Sequence, residues 1–314
     1  MKDFHDKLAV ITGAGTGMGR ELARQLASEG CHVAICDVLP QNMEETRKAC
    51  EEIAPDGTRI TAHECDVADE AQVVAFRDAV LQEHATEFVN LLFNNAGIGG
   101  GGSFLIDGRD EWDKTFGVCW SGVYYCTRAF LPLLVASSEG YIVNTSSVNG
   151  FWACLGPNIE HTAYSAAKFA VKGFTEALLT DLRNNAPHVK AAVVMPGHIG
   201  TSIALNSRLI HGGDFENLTN EELERIKTQM SRFGMPTKGL TDAQVLTMMK
   251  VWGEQFRDNA PVSAAKAATI ILDGVRNEKW RILVGDDAEA LDELVRADPE
   301  TAYDVGFQSP LGLP

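Results

Sequence analysis

Lys7-Leu8-Ala9-Val10-Ile11-Thr12-Gly13-Ala14-Gly15-Thr16-Gly17-Met18-Gly19 is the stretch that decides the architecture of this chain. The run from Lys7 to Thr12 is almost continuously apolar and stops at a glycine, so it predicts a strand buried on both faces, as in a parallel sheet covered by helices. Gly13, Gly17 and Gly19 then follow the spacing T-G-x3-G-x-G. Glycine lets the backbone turn sharply and approach a ligand closely. Leu22, Ala23, Leu26 and Ala27 recur at helical spacing, and Gly30 ends that helix. A helix N-terminus offers free N–H groups and a positive dipole end to a phosphate. Gly13, Gly15, Thr16, Gly17, Met18 and Gly19 are therefore candidate ligand contacts, although a plain tight turn has the same composition.

Outward from this unit the same rhythm repeats. Strands are predicted at His32–Asp37, Arg59–Cys65, Val89–Asn94, Tyr141–Ser146, Lys190–Met195 and Arg281–Val284. Helices are predicted over 42–53, 69–84, 111–136 and 162–185. Apolar strands alternating with helices define an α/β fold with a doubly wound parallel sheet. The rhythm breaks between Thr201 and Pro261, where only helical pieces near 219–231 and 241–256 appear. A connection of that length suits a lid, so 202–260 is expected to be a helical insertion over a substrate. The proline-bearing tail 299–314 is expected to be irregular, and 1–314 to be a single domain.

Forty-three acidic against 27 basic side chains leave a net charge of −16. Such a chain repels nucleic acid and anionic lipid, which makes both poor partners. The seven cysteines form no C-x-x-C pair, which argues against a disulfide framework and against a zinc site. The segment Met1–Asp6 lacks the apolar core of a signal peptide, and no apolar run looks long enough to span a bilayer. A reduced, cytoplasmic protein is expected.

Ligands of doubly wound sheets bind at the carboxyl ends of the strands. Asp37 ends the second strand, where its carboxylate can accept hydrogen bonds from adenosine ribose hydroxyls and repel a 2′-phosphate. No Lys or Arg lies between Thr12 and Gly19, and Val38 follows Asp37, so NAD is expected rather than NADP. Asp66 can bind the adenine amino group and Val67 can pack on its ring. Within Asn94-Asn95-Ala96-Gly97, Gly97 lets a cofactor lie against the backbone, while Asn95 suits a cofactor contact and a tie between strand ends equally well. Ile199 and Thr201, after Pro196-Gly197-His198, are placed to hold a nicotinamide carboxamide.

Tyr164 and Lys168 stand four apart at the start of a helix and so share one face. A free phenol has a pKa near about 10. A neighbouring ammonium stabilises the phenolate, so Tyr164 can take a proton from an alcohol or return one to a ketone. Ser147 can hold the substrate oxygen beside it, with Ser146 as the rival.

Taken together, TGAGTGMG, Asp37, Asp66-Val67, NNAG, the Ser146-Ser147 strand end, YSAAK and PGHIGT resemble the short-chain dehydrogenase/reductase family from about Lys7 to Thr201. A weaker resemblance extends over 281–304. The resemblance implies a Rossmann fold, with Tyr164 as acid/base, Lys168 as ribose contact and pKa modifier, and Ser147 as substrate orienter. It also implies a homodimer or homotetramer joined through the helices near 111–136 and 162–185. The family's asparagine in the helix after NNAG is replaced by Cys119, a weak hydrogen-bonder, which implies a rerouted or slower proton relay. A nucleophilic Cys119 lacks an evident His partner.

Met230, Phe233, Met235, Met248, Met249, Trp252 and Phe256 in the insertion suit a bulky hydrophobic alcohol or ketone, or equally the packing of the lid itself. Rival functions are an NAD(H)-binding sensor or scaffold, and an epimerase or dehydratase using the same Tyr/Lys pair.

Overall fold

The apolar run Leu8–Thr12 forms a wholly buried strand, β1, in the computed structural model, which describes residues 1–156, 159–212, 219–232 and 235–311. The chain continues through α1 (Gly17–Ser28), β2 (His32–Asp37), α2 (Pro40–Glu51), β3 (Ile60–Glu64), α3 (Glu70–His84) and β4 (Leu91–Asn94). Then come α4 (Arg109–Phe116), a π-helical turn over Gly117–Ser121, α5 (Gly122–Ala136) and β5 (Gly140–Thr145). A short antiparallel pair, β6 (Cys154–Gly156) and β7 (Ile159–Glu160), precedes the long helix α6 (Thr162–Asn185) and β8 (Val189–Pro196). The remainder is β9 (Ile199–Gly200), α7 (Ile203–Ile210), α8 (Asn220–Arg232), α9 (Asp242–Asp258), β10 (Val262–Ser263), α10 (Ala264–Arg276), β11 (Arg281–Val284) and α11 (Asp286–Ala297).

Seven strands build one sheet in the order β3-β2-β1-β4-β5-β8-β11, and every pairing is parallel. The strand order reverses between β1 and β4, which opens a crevice at their carboxyl ends. Both faces are covered, as apolar strands require. One face packs Leu22, Leu26, Met43, Ile271 and Val275 of α1, α2 and α10 onto Ile11, Val33 and Phe93. The other packs Phe76, Phe130, Leu178 and Leu182 of α3, α5 and α6 onto Val10, Leu92 and Ile142. This is the doubly wound Rossmann-type sheet expected.

Four features depart from the expectations. The predicted helix over 111–136 is interrupted by the π turn, which carries Cys119. Helices α7, α10 and α11 and the small pairs β6–β7 and β9–β10 had no expectation, although α10 buries Ala267, Ala268, Ile271, Leu272 and Val275 at helical spacing. The stretch Arg109–Ala136 is long and apolar enough to cross a membrane by composition, contrary to the expectation, and half of its most apolar window is buried. Burial against α3, β4 and β5 accounts for that apolarity. Finally, the tail from Pro299 has little secondary structure yet is docked. Ala302 and Leu311 are buried beside Trp152, whose indole N–H donates to the Ala302 carbonyl at 2.8 Å.

In the insertion, α7 packs on α9 and α9 on β9. Ile226, Met230 and Val245 form a small core of their own with Met235, Met248 and Met249. These methionines are occupied with packing, the blander of the two roles expected for them. Phe233 lies outside the described residues.

Candidate active site

β1 ends because Gly13 and Gly17 take left-handed backbone, at φ of +62° and +56°. Gly19, in the first turn of α1, lies so close to the loop that a Cβ would collide with the Gly13 carbonyl oxygen and stand 2.6 Å from Asn95 Nδ2. The N-terminus of α1 has no side-chain cap and no acidic residue in its first turn. Its free N–H groups and dipole end therefore face the loop unopposed, a fit to a diphosphate. Met18 packs partly into the core. Thr16 Oγ1 accepts a hydrogen bond from Asn206 of α7 at 3.1 Å, and the Thr201 side chain stands against Gly17, so the turn after β8 and the helix beyond it close over the loop.

Asp37 reaches back to the same loop. Its carboxylate accepts from Gly15 N at 2.8 Å and from Leu39 N at 3.0 Å. Burial pushes its pKa up, opposed by the N–H groups of Gly15, Leu39 and Val38 and by Arg20. Arg20, one residue past the glycine loop, is the cation nearest this corner. It donates to the carbonyls of Gly15 and Asn42 and pairs with Glu45 at 3.0 Å. Each Asp37 oxygen keeps a lone pair for a ribose hydroxyl.

Asn95 serves the scaffold. Its side chain donates to the carbonyls of Thr12 and Gly13, both at 3.1 Å, and its N–H donates to Thr12 Oγ1 at 3.0 Å. This ties the end of β4 to the end of β1. Asp66 Oδ1 accepts from Ala68 N at 2.9 Å, shaping the turn before α3. Val67 is buried against Gly122 of α5. Ile199 is buried, and Thr201 N donates to its carbonyl at 2.8 Å. The turn that holds them is clamped from outside: His198 N donates to Asp287 of α11 at 2.7 Å, and the His198 ring bonds the Phe256 carbonyl of α9 at 2.7 Å.

Ser147, Tyr164 and Lys168 meet at the carboxyl end of β5. Ser147 heads the turn after the strand, accepting from Asn149 N at 3.1 Å, and its hydroxyl faces Tyr164 closely enough to favour the phenolate. The rival Ser146 is committed to the scaffold, donating to the Lys168 carbonyl at 2.7 Å. The Lys168 ammonium lies 5.2 Å from the centre of the Tyr164 ring and donates to the Thr145 carbonyl at 2.8 Å. A Cβ on Gly97 would stand 3.5 Å from that ammonium and 3.7 Å from Cys119 Sγ, so β4, the π turn and α6 converge on one point. Cys119 donates through sulfur to the Ile98 carbonyl at 3.3 Å, a bond that pins the π turn to the loop after β4.

The expected acidification of Tyr164 by its lysine does not hold in the protein alone. Burial pushes the phenol well above its ordinary value, the neighbouring Cys119 adds to this, and only the Ser147 hydroxyl works the other way. Burial also lowers the Lys168 ammonium. Desolvation penalises every charged form, and two groups enclosed together both lean towards neutrality.

One neighbour escaped the sequence reading. His161, one residue before α6, stacks on Tyr164 with ring centres 4.6 Å apart and planes 15° from parallel. A lone histidine outside any motif carries no sequence signal, and its register relative to Tyr164 becomes meaningful only once the helix start is known.

A doubly wound sheet with an anion cradle at its switch point, an acidic residue ending β2 and a Ser-Tyr-Lys cluster ending β5 defines a nicotinamide-dinucleotide oxidoreductase. The chain belongs to the short-chain dehydrogenase family, whose family model matches residues 7–209. It is 33% identical to SadH of Mycobacterium tuberculosis, named as an oxidoreductase with no substrate in its name, over 94% of this chain and 92% of that one. A short-chain dehydrogenase/reductase from Burkholderia phymatum, solved with NAD, superposes with a TM-score of 0.76 at 28% identity, covering 98% of this chain and 99% of that chain. A metagenomic short-chain oxidoreductase solved with NADP reaches a TM-score of 0.55 at 30% identity over 62% of this chain and 83% of its own. The fold binds a nicotinamide cofactor, and relatives take either form of it.

Proposed function

We propose that the protein is an NAD(H)-dependent dehydrogenase that interconverts a secondary alcohol and a ketone, with Tyr164 as the acid/base. The convergence of Ser147, Tyr164 and Lys168 beside Gly97, at the mouth of the sheet crevice, carries this reading. The nicotinamide supplies or accepts the hydride when bound. Gly13 to Gly19 and the α1 N-terminus hold the diphosphate, Asp37 the adenosine ribose, Asp66 and Val67 the adenine, and Ile199 and Thr201 the carboxamide. Ser147 donates to the substrate oxygen. The Tyr164 phenol gives its proton to that oxygen in reduction and recovers it in oxidation. Lys168 stands beside the ring to stabilise the phenolate formed in reduction. Asp37 supports NAD over NADP, because its carboxylate repels a 2′-phosphate and Arg20 is already engaged.

An apolar substrate is favoured by the loop beside the cleft rather than by the lid methionines. Phe104, Leu105 and Ile106 are 74%, 93% and 64% exposed. Their loop is bonded to the start of α6 through Thr162 N to Gly102 O and Ala163 N to Gly101 O, both 2.9 Å. Exposed Tyr124, Val135 and Phe169 on α5 and α6 suit a homo-oligomer joined through those helices. Sedimentation velocity measures that state directly.

The test is Tyr164→Phe in the full chain. Turnover of a secondary alcohol or ketone is expected to vanish, while NADH affinity, followed by the fluorescence of bound NADH, stays within about twofold, about 0.4 kcal/mol. Substantial residual rate removes Tyr164 from the chemistry. Failure of the unmodified protein to bind either dinucleotide removes the whole reading.

A further inference from the structure

His161 is a half-buried polar group beside the site that the chemistry above leaves unused. Its Nδ1 is enclosed and has no hydrogen-bond partner. An enclosed nitrogen without a partner costs about 1–3 kcal/mol, and native proteins seldom leave such an atom idle without a reason. Its ring lies face to face with the Tyr164 ring, at 4.6 Å between centres, so the imidazole borders the side chain assigned to meet the substrate. Burial holds the imidazole neutral, with its pKa lowered to about 4. A neutral imidazole presents one donor and one acceptor, and so can donate to a carbonyl oxygen or exchange a hydrogen bond in either direction with a hydroxyl.

The position is well supported. The His161 carbonyl accepts from Ser165 N at 3.0 Å, so the residue forms part of the first turn of α6. Thr162 and Ala163, just after it, donate their N–H groups to Gly102 and Gly101 of the loop after β4. Thr162 Oγ1 also donates to Gly101 O at 3.1 Å and accepts from Trp112 Nε1 at 3.2 Å. Backbone on both sides of the cleft thus fixes where the imidazole stands, while its Nδ1 is left over.

We infer that His161 is a specificity residue that hydrogen-bonds a second, uncharged oxygen of the substrate close to the reacting carbon, selecting α-hydroxyketones, α-diketones or the corresponding diols over simple ketones and alcohols. This rests on the dehydrogenase reading above and narrows its substrate class. The reach follows from the stack: with ring centres 4.6 Å apart, we place an oxygen on the carbon next to the reacting one at the imidazole when the reacting oxygen is at the phenol. A buried group built to pair with a substrate oxygen discriminates strongly against an analogue that lacks it, because the group is then left unpaired.

The experiment compares two aryl probes, 1-phenylpropane-1,2-dione and propiophenone, on the full-length protein with NADH. Binding to the protein–NADH complex is read from bound-NADH fluorescence, and turnover from NADH consumption. The unmodified protein is expected to bind the dione at least about tenfold more tightly than the monoketone, equivalent to about 1.4 kcal/mol. His161→Phe keeps an aromatic ring on Tyr164 but removes both nitrogens. It is expected to erase that preference while leaving NADH affinity and the monoketone unchanged. His161→Gln, which restores a donor and an acceptor, is expected to recover part of it. Equal binding of the two probes by the unmodified protein overturns the inference, as does a His161→Phe variant that weakens both probes alike, which is the mark of a merely structural stack. Absence of NADH binding, by contrast, overturns the dehydrogenase reading itself.

Discussion

Asp37 shows how one side chain is held for two tasks. Its carboxylate organises the glycine loop through Gly15 N and the start of α2 through Leu39 N, and the proposed function gives the same oxygens the adenosine ribose. Asp37→Ala is therefore expected to weaken NAD binding and to lower the NAD-to-NADP affinity ratio by about tenfold or more, about 1.4 kcal/mol of discrimination. Parallel titrations of the two cofactors measure this, and an unchanged ratio would remove Asp37 from the choice between them. Histidines set a second behaviour at this scale. Burial lowers both His161 and His84 from 6.5 to about 4. The folded chain then binds fewer protons than the unfolded chain between those values. Stability contributed by the neutral imidazoles is present above 6.5 and drains away as the pH falls towards 4. Thermal denaturation is expected to show a lower Tm at about pH 5 than at about pH 7, with a shallower drop in His84→Gln. An identical drop in that variant would assign the acid sensitivity elsewhere.

At the scale of elements, the α1 N-terminus and the π turn bear most on the site. Gly19 is required by contact rather than by its backbone angle, since a methyl group there meets the Gly13 carbonyl and the Asn95 amide. Gly19→Ala is expected to force the loop apart, costing about 1–3 kcal/mol of stability. Dinucleotide affinity should fall by more than the stability loss alone implies, because the displaced atoms belong to the cradle. Chemical denaturation and NADH fluorescence on the same variant separate the two effects. The π turn explains how a helix predicted as one piece from 111 to 136 delivers Cys119 to Gly97 and Lys168. Periodicity reveals an amphipathic helix but not an extra residue within one turn, since that change hardly alters the hydrophobic pattern. The cysteine's bond to the Ile98 carbonyl shows it fixing the turn's position, a role that a weak donor can fill.

Across the whole molecule, the two ends of the fold meet behind the site. The turn bearing Ser147 continues to Trp152, which is sealed by Ala288, Leu291 and Val295 of α11 and by Ala302 and Leu311 of the tail. Removing the chain from Pro299 onward would uncover Trp152 and strip the partner from its indole N–H. The shortened protein is expected to melt several degrees lower and to lose turnover more than NADH affinity, because Ser147 is loosened while the glycine loop, on β1 and α1, is not. Equal losses of both would mean that the tail supports the fold generally rather than this turn.

The order of strands and helices, the glycine loop, Asp37 and the Tyr164–Lys168 pair were legible in the sequence because each depends on short-range rules: alternation of apolar segments, backbone freedom at glycine, and the four-residue repeat of a helix face. The commitment of Asn95 and Ser146 to the scaffold, the docking of the tail, the stack of His161 and the upward push on Tyr164 belong to the tertiary structure. Each arises where side chains from distant segments shut out water together, and neither a desolvation cost nor a partner far along the chain is written in local spacing.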